Sequence, residues 1–456
     1  MQVIIIILSG LILCVNCLFA SENKSQKPNI LWLIAEDLGP ALSCYGTKEV
    51  YTPNLDSLAS KGTRYTRFYT TAPVCSPSRS AFMTGMYATT IGAHHHRSNR
   101  DGNFPLPDGV KLLTEWMREL GYFTANIVEL PKECGFRGTG KTDWNFTAPA
   151  KPFDSKSWND LKINQPFFAQ INFNETHRPF KAPQKADPSK VELPPYYPDH
   201  PIAREDYAKY LDSAMELDRK IGIILDLLKR DSLDKNTIIV FFGDNGEAHV
   251  RGKQFCYEEG LHVPLIIYIP DQYLPIKNYK PASVDSRLLM AIDLAPTMIA
   301  IGGGIPPKTM QGIPFLTDRA GEPRNYVFGA RDRCDETSMR IRTVRDERFR
   351  YIRNFTPEKP LLSPNAYKEK SYPMWNLIKE LNLQGKLTPV QAALCAPRLP
   401  DEELYDLEKD PYQTNNLASS PDYQDVLKRM RIVLENWIKE TDDKGRFPEK
   451  ISEKQK

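Results

Sequence analysis

Four stretches nearly continuous in apolar residues constrain this chain more than any other feature. They are Pro28-Asn-Ile-Leu-Trp-Leu-Ile-Ala35, Pro166 to Phe173, Thr237 to Phe242 and Val263 to Ile269. A strand with one wet face alternates apolar and polar residues. A run without that alternation belongs in a central strand covered on both faces. Helical periodicity appears between these runs, at Leu55 to Lys61, Leu112 to Leu120, Tyr207 to Lys229 and Leu288 to Ile301. Strands alternating with helices predict an α/β fold, a large doubly wound, mostly parallel sheet flanked by helices. From about Met339 the pattern changes. Met339-Arg-Ile-Arg-Thr-Val-Arg345 and Phe349-Arg-Tyr-Ile-Arg353 form an alternating hairpin, followed by a short strand, Glu403 to Asp406, and a helix, Tyr423 to Thr441. That predicts a smaller C-terminal α+β subdomain on an antiparallel sheet. Phe355 to Pro400 is rich in proline and reads as loop with one helix, placed to overhang a site.

Met1 to Ala20 is a separate object. Val3 to Val15 is almost wholly apolar and too short to span a bilayer, and Leu18-Phe19-Ala20 gives way to a polar segment. This reads as a secretory signal peptide over 1–20, leaving a catalytic domain over 21–335 and the subdomain over 336–456. A lipoprotein anchor at Cys17 is disfavoured, because Asn16 stands where a small residue is needed. The mature protein is expected to be exported, periplasmic or secreted, with no stable membrane span. A net charge of +3 gives no argument for a nucleic-acid partner. Cys44, Cys75, Cys134, Cys256, Cys334 and Cys395 remain after cleavage, without a disulfide framework or a paired-Cys metal pattern.

Cys75-Ser-Pro-Ser-Arg79 follows a strand-like run, Tyr65 to Thr71, and opens a helix at Ser80 to Thr84. A cysteine at a strand-to-helix turn lies near the positive end of the helix dipole, with an arginine one turn on. That suits a nucleophile that meets an anion. Alone, the motif equally fits a buried cysteine beside a Ser-Pro turn. Ligands in open α/β sheets gather at the carboxyl ends of strands. Those ends carry Glu36-Asp37, His177-Arg178-Pro179 and Asp244-Asn245-Gly246. Taken singly, the first is a solvated strand end and the last a turn. Taken together, three carboxylates and an amide oxygen form a hard-oxygen set suited to Ca²⁺ or Mg²⁺. Arg79, Lys141, His177 and Lys253 are candidates for holding an oxyanion, although each lysine alone reads as a solvated surface residue. His94-His95-His96-Arg97, Arg178, His262 and Arg331-Asp332-Arg333 are candidates for an anionic sugar pocket, with His95, His96, Arg178, His262 and Arg331 as the contacts.

On these residues the chain resembles the type I, formylglycine-dependent sulfatases of the alkaline-phosphatase superfamily. The resemblance covers nearly the whole mature chain. It is carried by Glu36-Asp37, by Cys75-Ser-Pro-Ser-Arg79-Ser-Ala-Phe-Met-Thr-Gly85, by Gly140-Lys141, by Asp244-Asn245-Gly246, Lys253 and Val263-Pro-Leu265, and by Asp293-Leu-Ala-Pro-Thr297 and Leu404-Tyr-Asp406. The His177-Arg-Pro-Phe180 segment, Arg340 to Arg345 and Asp410-Pro411 with Asn416-Leu417 are most similar to the branch that contains heparan N-sulfatase and bacterial polysaccharide sulfatases. Two departures stand out. Glu36 replaces the family's usual Asp. Gly140-Lys-Thr-Asp143 stands where the family has Gly-Lys-x-His, a histidine that helps release sulfate, so Asp143 or one of His94, His95 and His96 takes that role. Val128 to Thr139 reads as an insertion beside it.

The resemblance implies that a maturation enzyme converts Cys75 to formylglycine, whose hydrated form attacks sulfur. One cation, Ca²⁺ before Mg²⁺, is held by Glu36, Asp37, Asp244, Asn245 and the modified Cys75, and activates the attacking oxygen. Arg79, Lys141 and Lys253 stabilise the developing charge, and His177 protonates the leaving group. The implied substrate is a sulfated polysaccharide or its oligosaccharides, an algal-type or uronate-bearing glycan. N-sulfoglucosamine in heparan is the alternative. A phosphatase or phosphodiesterase of the superfamily would carry Thr or Ser as nucleophile and a His-rich two-zinc site, which seven histidines, three in one cluster, disfavour. A catalytically dead glycan-binding relative is disfavoured because Cys75, Arg79 and the metal set are all present.

Overall fold

The computed structural model describes residues 27–98 and 104–449. The expected signal peptide and Cys17 lie outside the described residues. The strands of the first three-quarters of the chain are β1 (Asn29–Ala35), β2 (Thr63–Tyr65), β3 (Phe68–Tyr69), β4 (Phe123–Glu129), β5 (Ser155–Ser157), β6 (Phe167–Phe173), β7 (Thr237–Gly243), β8 (Leu265–Tyr268), β9 (Ser283–Asp285) and β10 (Leu289–Met290). Eight of them form one sheet in the order β5-β4-β6-β1-β7-β8-β2-β9, while β3 and β10 pair separately. β1 lies between β6 and β7 and is parallel to both, and β8 is antiparallel to β7. The sheet is therefore mixed but mostly parallel, as expected.

The unbroken apolar character of β1 has a simple cause. Ile30, Trp32 and Ile34 face one buried cluster, and Leu31, Leu33 and Ala35 face another. The helices α1 (Pro53–Lys61), α2 (Cys75–Thr84), α3 (Leu113–Glu119), α4 (Trp158–Ile163), α5 (Pro201–Arg230), α6 (Glu258–Leu261) and α7 (Leu294–Ile301) connect these strands. Trp32 meets Phe82 of α2, Phe168 of β6 and Phe242 of β7 edge to face, at ring separations of 6.0, 5.1 and 5.2 Å. These contacts lock α2 over the centre of the sheet. The long helix α5 covers the opposite face through residues such as Leu211, Ala214 and Leu217.

The C-terminal sheet is antiparallel, in the order β11 (Val327–Cys334), β12 (Thr337–Arg345), β13 (Phe349–Asn354), β14 (Glu402–Asp406). Helices α8 (Ala366–Ser371), α9 (Pro373–Leu383) and α10 (Pro389–Ala392) lie between its last two strands, and α11 (Gln424–Glu440) follows.

Four local expectations are corrected. The Tyr65 to Thr71 run is not one strand, because the chain leaves the large sheet after Tyr65 and β3 joins β10 instead. The catalytic-motif helix starts at Cys75 rather than Ser80. Pro77 falls in its first turn, where a missing N–H costs nothing, and Ser78 N already donates to Val74 O at 3.2 Å. The segment from Leu288 opens with β10 before it turns helical. The 355–400 region holds α8, α9 and α10, not one helix. In β11, Arg331 and Asp332 are buried, at 2% and 4% exposure; Asp332 pairs with Arg342 at 3.0 Å, whereas Arg331 lies over the Phe255 ring without a carboxylate partner among the described residues.

Candidate active site

Register brings the polar cluster together. Ala35, the last residue of β1, sits opposite Phe173 of β6 and Gly243 of β7. The residues that follow each strand therefore emerge side by side. Asp244 N donates to Ala35 O at 2.9 Å, and Glu36 N to Phe173 O at 3.0 Å. Asp37 adopts a left-handed φ of 56°, and its N–H donates to Asp244 Oδ1 at 2.9 Å. Asn245 Nδ2 donates to Asp37 Oδ1 at 2.8 Å, while Asn245 Oδ1 is buried with no hydrogen-bond donor among the described residues. Gly246 is obligatory here, since a Cβ would overlap the Glu259 carbonyl. Glu36, Asp37, Asp244 and Asn245 are all buried. An all-oxygen donor set with an orphaned amide oxygen fits a hard divalent cation, and the residues present match that chemistry.

Cys75 heads α2 against this cluster. Its Sγ lies 3.8 Å from Glu36 Oε1 and 3.9 Å from Asp37 Oδ1. Each carboxylate has one cation. Lys141 Nζ pairs with Glu36, Lys253 Nζ reaches Asp37 Oδ2 at 2.7 Å, and Arg79 Nε reaches Asp244 Oδ2 at 2.8 Å. Arg79 also donates to Asn172 Oδ1 at 2.7 Å, which leaves its buried Nη2 with no hydrogen-bond partner among the described residues. Burial would raise Asp37, but Lys253, His177 and Lys141 together outweigh it and hold the carboxyl at about 2. Burial likewise raises Glu36, and Lys141 and His177 outweigh it, so it too sits below its ordinary value. Asp244 goes the other way, because burial exceeds what Arg79 returns. The Cys75 thiol is pushed up by burial to about 12 despite Lys253 and Lys141. The helix dipole does not rescue it, so at neutral pH the unmodified side chain is a protonated thiol and a poor nucleophile.

His177 Nδ1 is 2.6 Å from Arg178 O, so Nδ1 donates and Nε2 is turned inward. Nε2 lies 3.5 Å from Glu36 Oε1 and 3.9 Å from Asp37 Oδ2. A cavity of about 330 Å³ opens beside it, lined also by Asn174, Glu175, Lys181, Glu216 and Lys220. The 355–400 region overhangs the site as expected. Tyr367 of α8 places its ring 5.5 Å from Lys253 Nζ, and Lys368 Nζ donates to Lys253 O at 2.8 Å.

The sugar-contact candidates divide. His96 reaches the site, since Cys75 Sγ, a ring nitrogen of His96 and a carboxylate oxygen of Asp143 lie within 4.8 Å of one another. His95 Nδ1 instead accepts from Arg333 N at 3.3 Å. Arg178 is buried in a fork on Asp206, with both Nη–Oδ distances at 2.6 Å, and stacks between Phe180 and Tyr372. His262 stacks on Tyr69 and bonds Thr66 O at 2.9 Å. Arg331 is buried over the Phe255 ring. Those three basic groups lie in the packing between elements. Sequence reasoning missed Asn172, Asp335 and Thr176. Asn172 interrupts an apolar strand, a readable signal. It holds Arg79 and donates to Asn126 Oδ1 at 3.1 Å, and Asn126 in turn fixes Gly140 O at 2.8 Å. Thr176, whose Oγ1 donates to Glu36 O at 2.5 Å, and Asp335 carried no signal.

The site thus consists of a buried cysteine heading a helix, three carboxylates and the three cations paired with them. Residues 28–305 match the family described as Sulfatase. The chain is 34% identical to an ulvan-active sulfatase of Formosa agariphila over 483 residues, spanning 94% of this chain and 78% of that protein. It is 25% identical to N-sulphoglucosamine sulphohydrolase of Homo sapiens, spanning 94% and 93%. The fold matches that of a solved 2-O GAG sulfatase with a TM-score of 0.64 at 20% identity, covering 93% of this chain and 94% of that one. This chain belongs to the sulfatase family, and it is a sulfuric ester hydrolase.

Proposed function

We propose that this enzyme is exported and removes sulfate esters from a sulfated polysaccharide or its oligosaccharides, an algal-type or uronate-bearing glycan. The observation that carries the reading is Cys75 at the head of α2, packed on Glu36 and Asp37 and ringed by Arg79, Lys141 and Lys253. The substrate class is supported by the ulvan-active relative and by a second one, 28% identical over 93% of this chain. In this reading Cys75 becomes formylglycine. The residue is fully buried, so a maturation enzyme has to reach it before the chain folds. Glu36, Asp37, Asp244, Asn245 and the modified side chain would hold one Ca²⁺. When bound, that cation supplies the positive charge that makes the modified side chain's oxygen nucleophilic at neutral pH.

The chain's own residues do the rest. Arg79 Nη2, Lys141 and Lys253 hold the sulfate oxygens and take up their growing charge. Protonated to the imidazolium, His177 keeps one N–H on Nδ1, donated to Arg178 O, and delivers the proton on Nε2 to the departing sugar oxygen. The cavity beside His177 takes the sugar, with Lys181 available to an anionic substituent, while Lys220 is paired with Glu175. The catalytic unit is assigned to 21–335 and the subdomain to 336–456, whose sheet recruits β11 from the former. Among the described residues no helix is long and apolar enough to cross a membrane. The test is sulfate release from a panel of ulvan, other algal and heparan oligosaccharides by aldehyde-bearing protein. Release from ulvan fragments is expected. Release from N-sulfoglucosamine alone would replace the algal reading with the heparan one, and no release from any sugar would overturn both.

A further inference from the structure

We propose that His96 is the base that frees sulfate from the enzyme and that Asp335 is the residue that positions it. The inference rests on the formylglycine reading and assigns the step for which the family's usual histidine is missing. Asp143 occupies that histidine's place but is already engaged. Its Oδ1 accepts from Arg97 Nε at 3.2 Å, and its Oδ2, although it accepts no hydrogen bond among the described residues, faces the Lys141 ammonium at 3.6 Å. A carboxylate facing cations on both oxygens is a weak proton acceptor.

His96 approaches the same point from another element. A ring nitrogen of His96 lies within 4.8 Å of both Cys75 Sγ and an Asp143 oxygen. Its Nδ1 is 3.2 Å from Asp335 Oδ1. An ionised carboxylate only accepts, so Nδ1 is the donor, and the neutral ring keeps its lone pair on Nε2. That Nε2 is buried and has no hydrogen-bond partner among the described residues. One turn of chain supplies both anchors. The hairpin between β11 and β12 gives Arg333 O, which accepts from His96 N at 2.9 Å, and Asp335, held in a left-handed φ of 51°. Asp335 Oδ2 in turn accepts from Gln254 Nε2 at 3.0 Å, next to Lys253. The arrangement is a base with its second nitrogen oriented by a carboxylate.

After sulfuryl transfer, the modified side chain carries one free hydroxyl and one oxygen bound to sulfur on the same carbon. His96 Nε2 takes the hydroxyl proton. That O–H pair becomes the carbon–oxygen double bond, and the bond from carbon to the sulfated oxygen breaks with its electron pair. Sulfate leaves, the aldehyde returns, and His96 is left protonated.

Three measurements test this. With the aldehyde verified, His96→Gln should release one equivalent of desulfated sugar and then stall. Steady turnover should fall on the order of 10²–10⁴-fold, with intact mass showing one bound sulfuryl group, and added imidazole should restore turnover. In nitrogen-15 spectra of histidine-labelled protein with unmodified Cys75, His96 should be protonated on Nδ1. Asp335→Asn should lose that tautomer and Asp335→Glu should recover it, whereas a merely structural Asp335 would leave it unchanged. The wild-type spectrum stands as a test even where His96→Gln does not fold. Steady turnover by His96→Gln without an adduct, an adduct in Asp143→Asn instead, or a wild-type His96 protonated on Nε2 would each overturn the proposal. Wild-type protein that bears the aldehyde yet gives no first-turnover product would overturn the formylglycine reading, and this step with it.

Discussion

Replacing Asp244 with Asn removes one of the three buried carboxylates while keeping its shape. The consequence follows from two contacts. Asp244 Oδ1 accepts from Asp37 N at 2.9 Å, and Oδ2 accepts from Arg79 Nε at 2.8 Å, with side-chain exposures of 0% and 2% for Asp244 and Arg79. An amide satisfies one of these, not both, because its NH₂ would then face the Arg79 N–H. Leaving one charge of a buried pair uncompensated costs about 3–5 kcal/mol. The lower end applies here, since Arg79 keeps Asn172 Oδ1 at 2.7 Å and burial already disfavours the Asp244 charge that is lost. The same change removes an oxygen anion from the cation set. A ligand that binds only the folded state at about a hundredfold excess over its Kd stabilises by ~2.7 kcal/mol. Urea unfolding followed by tryptophan fluorescence, in EDTA and in Ca²⁺, separates the two effects. Asp244→Asn should have a lower midpoint in EDTA, and it should lack the rise that Ca²⁺ gives the wild type. An unchanged midpoint in EDTA together with a wild-type response to Ca²⁺ would refute the reasoning.

Peptide mass spectrometry of active enzyme should show the thiol sulfur of Cys75 replaced by an aldehyde oxygen, and full activity from protein carrying only the thiol would contradict the proposal. Lys253→Gln removes the cation 2.7 Å from Asp37, and kcat should drop on the order of 10²–10³-fold, with turnover near wild type counting against a role on sulfate. A further expectation concerns acid stability. Burial would raise Asp443, but Arg342, bonded through Nη2 at 2.9 Å, with the Gly445 N–H and Arg340, outweighs it and holds the carboxyl at about 2 rather than 3.8. A depressed carboxyl stabilises the fold above its unfolded value and loses that contribution as pH falls toward the folded value, a loss of about 2 kcal/mol between about pH 4 and 2. Denaturation midpoints should therefore fall more steeply over that window in wild type than in Asp443→Asn, and parallel slopes would exclude the pair as the cause.

The chain itself determined the central strands, the α/β class and the contents of the strand tips. Burial on both faces of β1 demands apolar side chains at every position, and that demand is written locally in residues 30–35. Glu36-Asp37, Asp244-Asn245 and the Cys75 motif were legible for the same reason, since each lies beside a recognisable strand or helix end. Pairing across the fold was not legible. Whether Arg178 serves a ligand or Asp206, or Arg331 a sugar or Phe255, depends on which segments the sheet sets side by side. Asp335 reaches His96 only because the β11–β12 hairpin packs on the turn after α2, joining residues 239 positions apart. Hydrophobic patterning repeats over a few residues and can be read from them. A polar group's partner is set by strand register and subdomain docking, and by which buried charge needs neutralising there, so only the tertiary structure decided it.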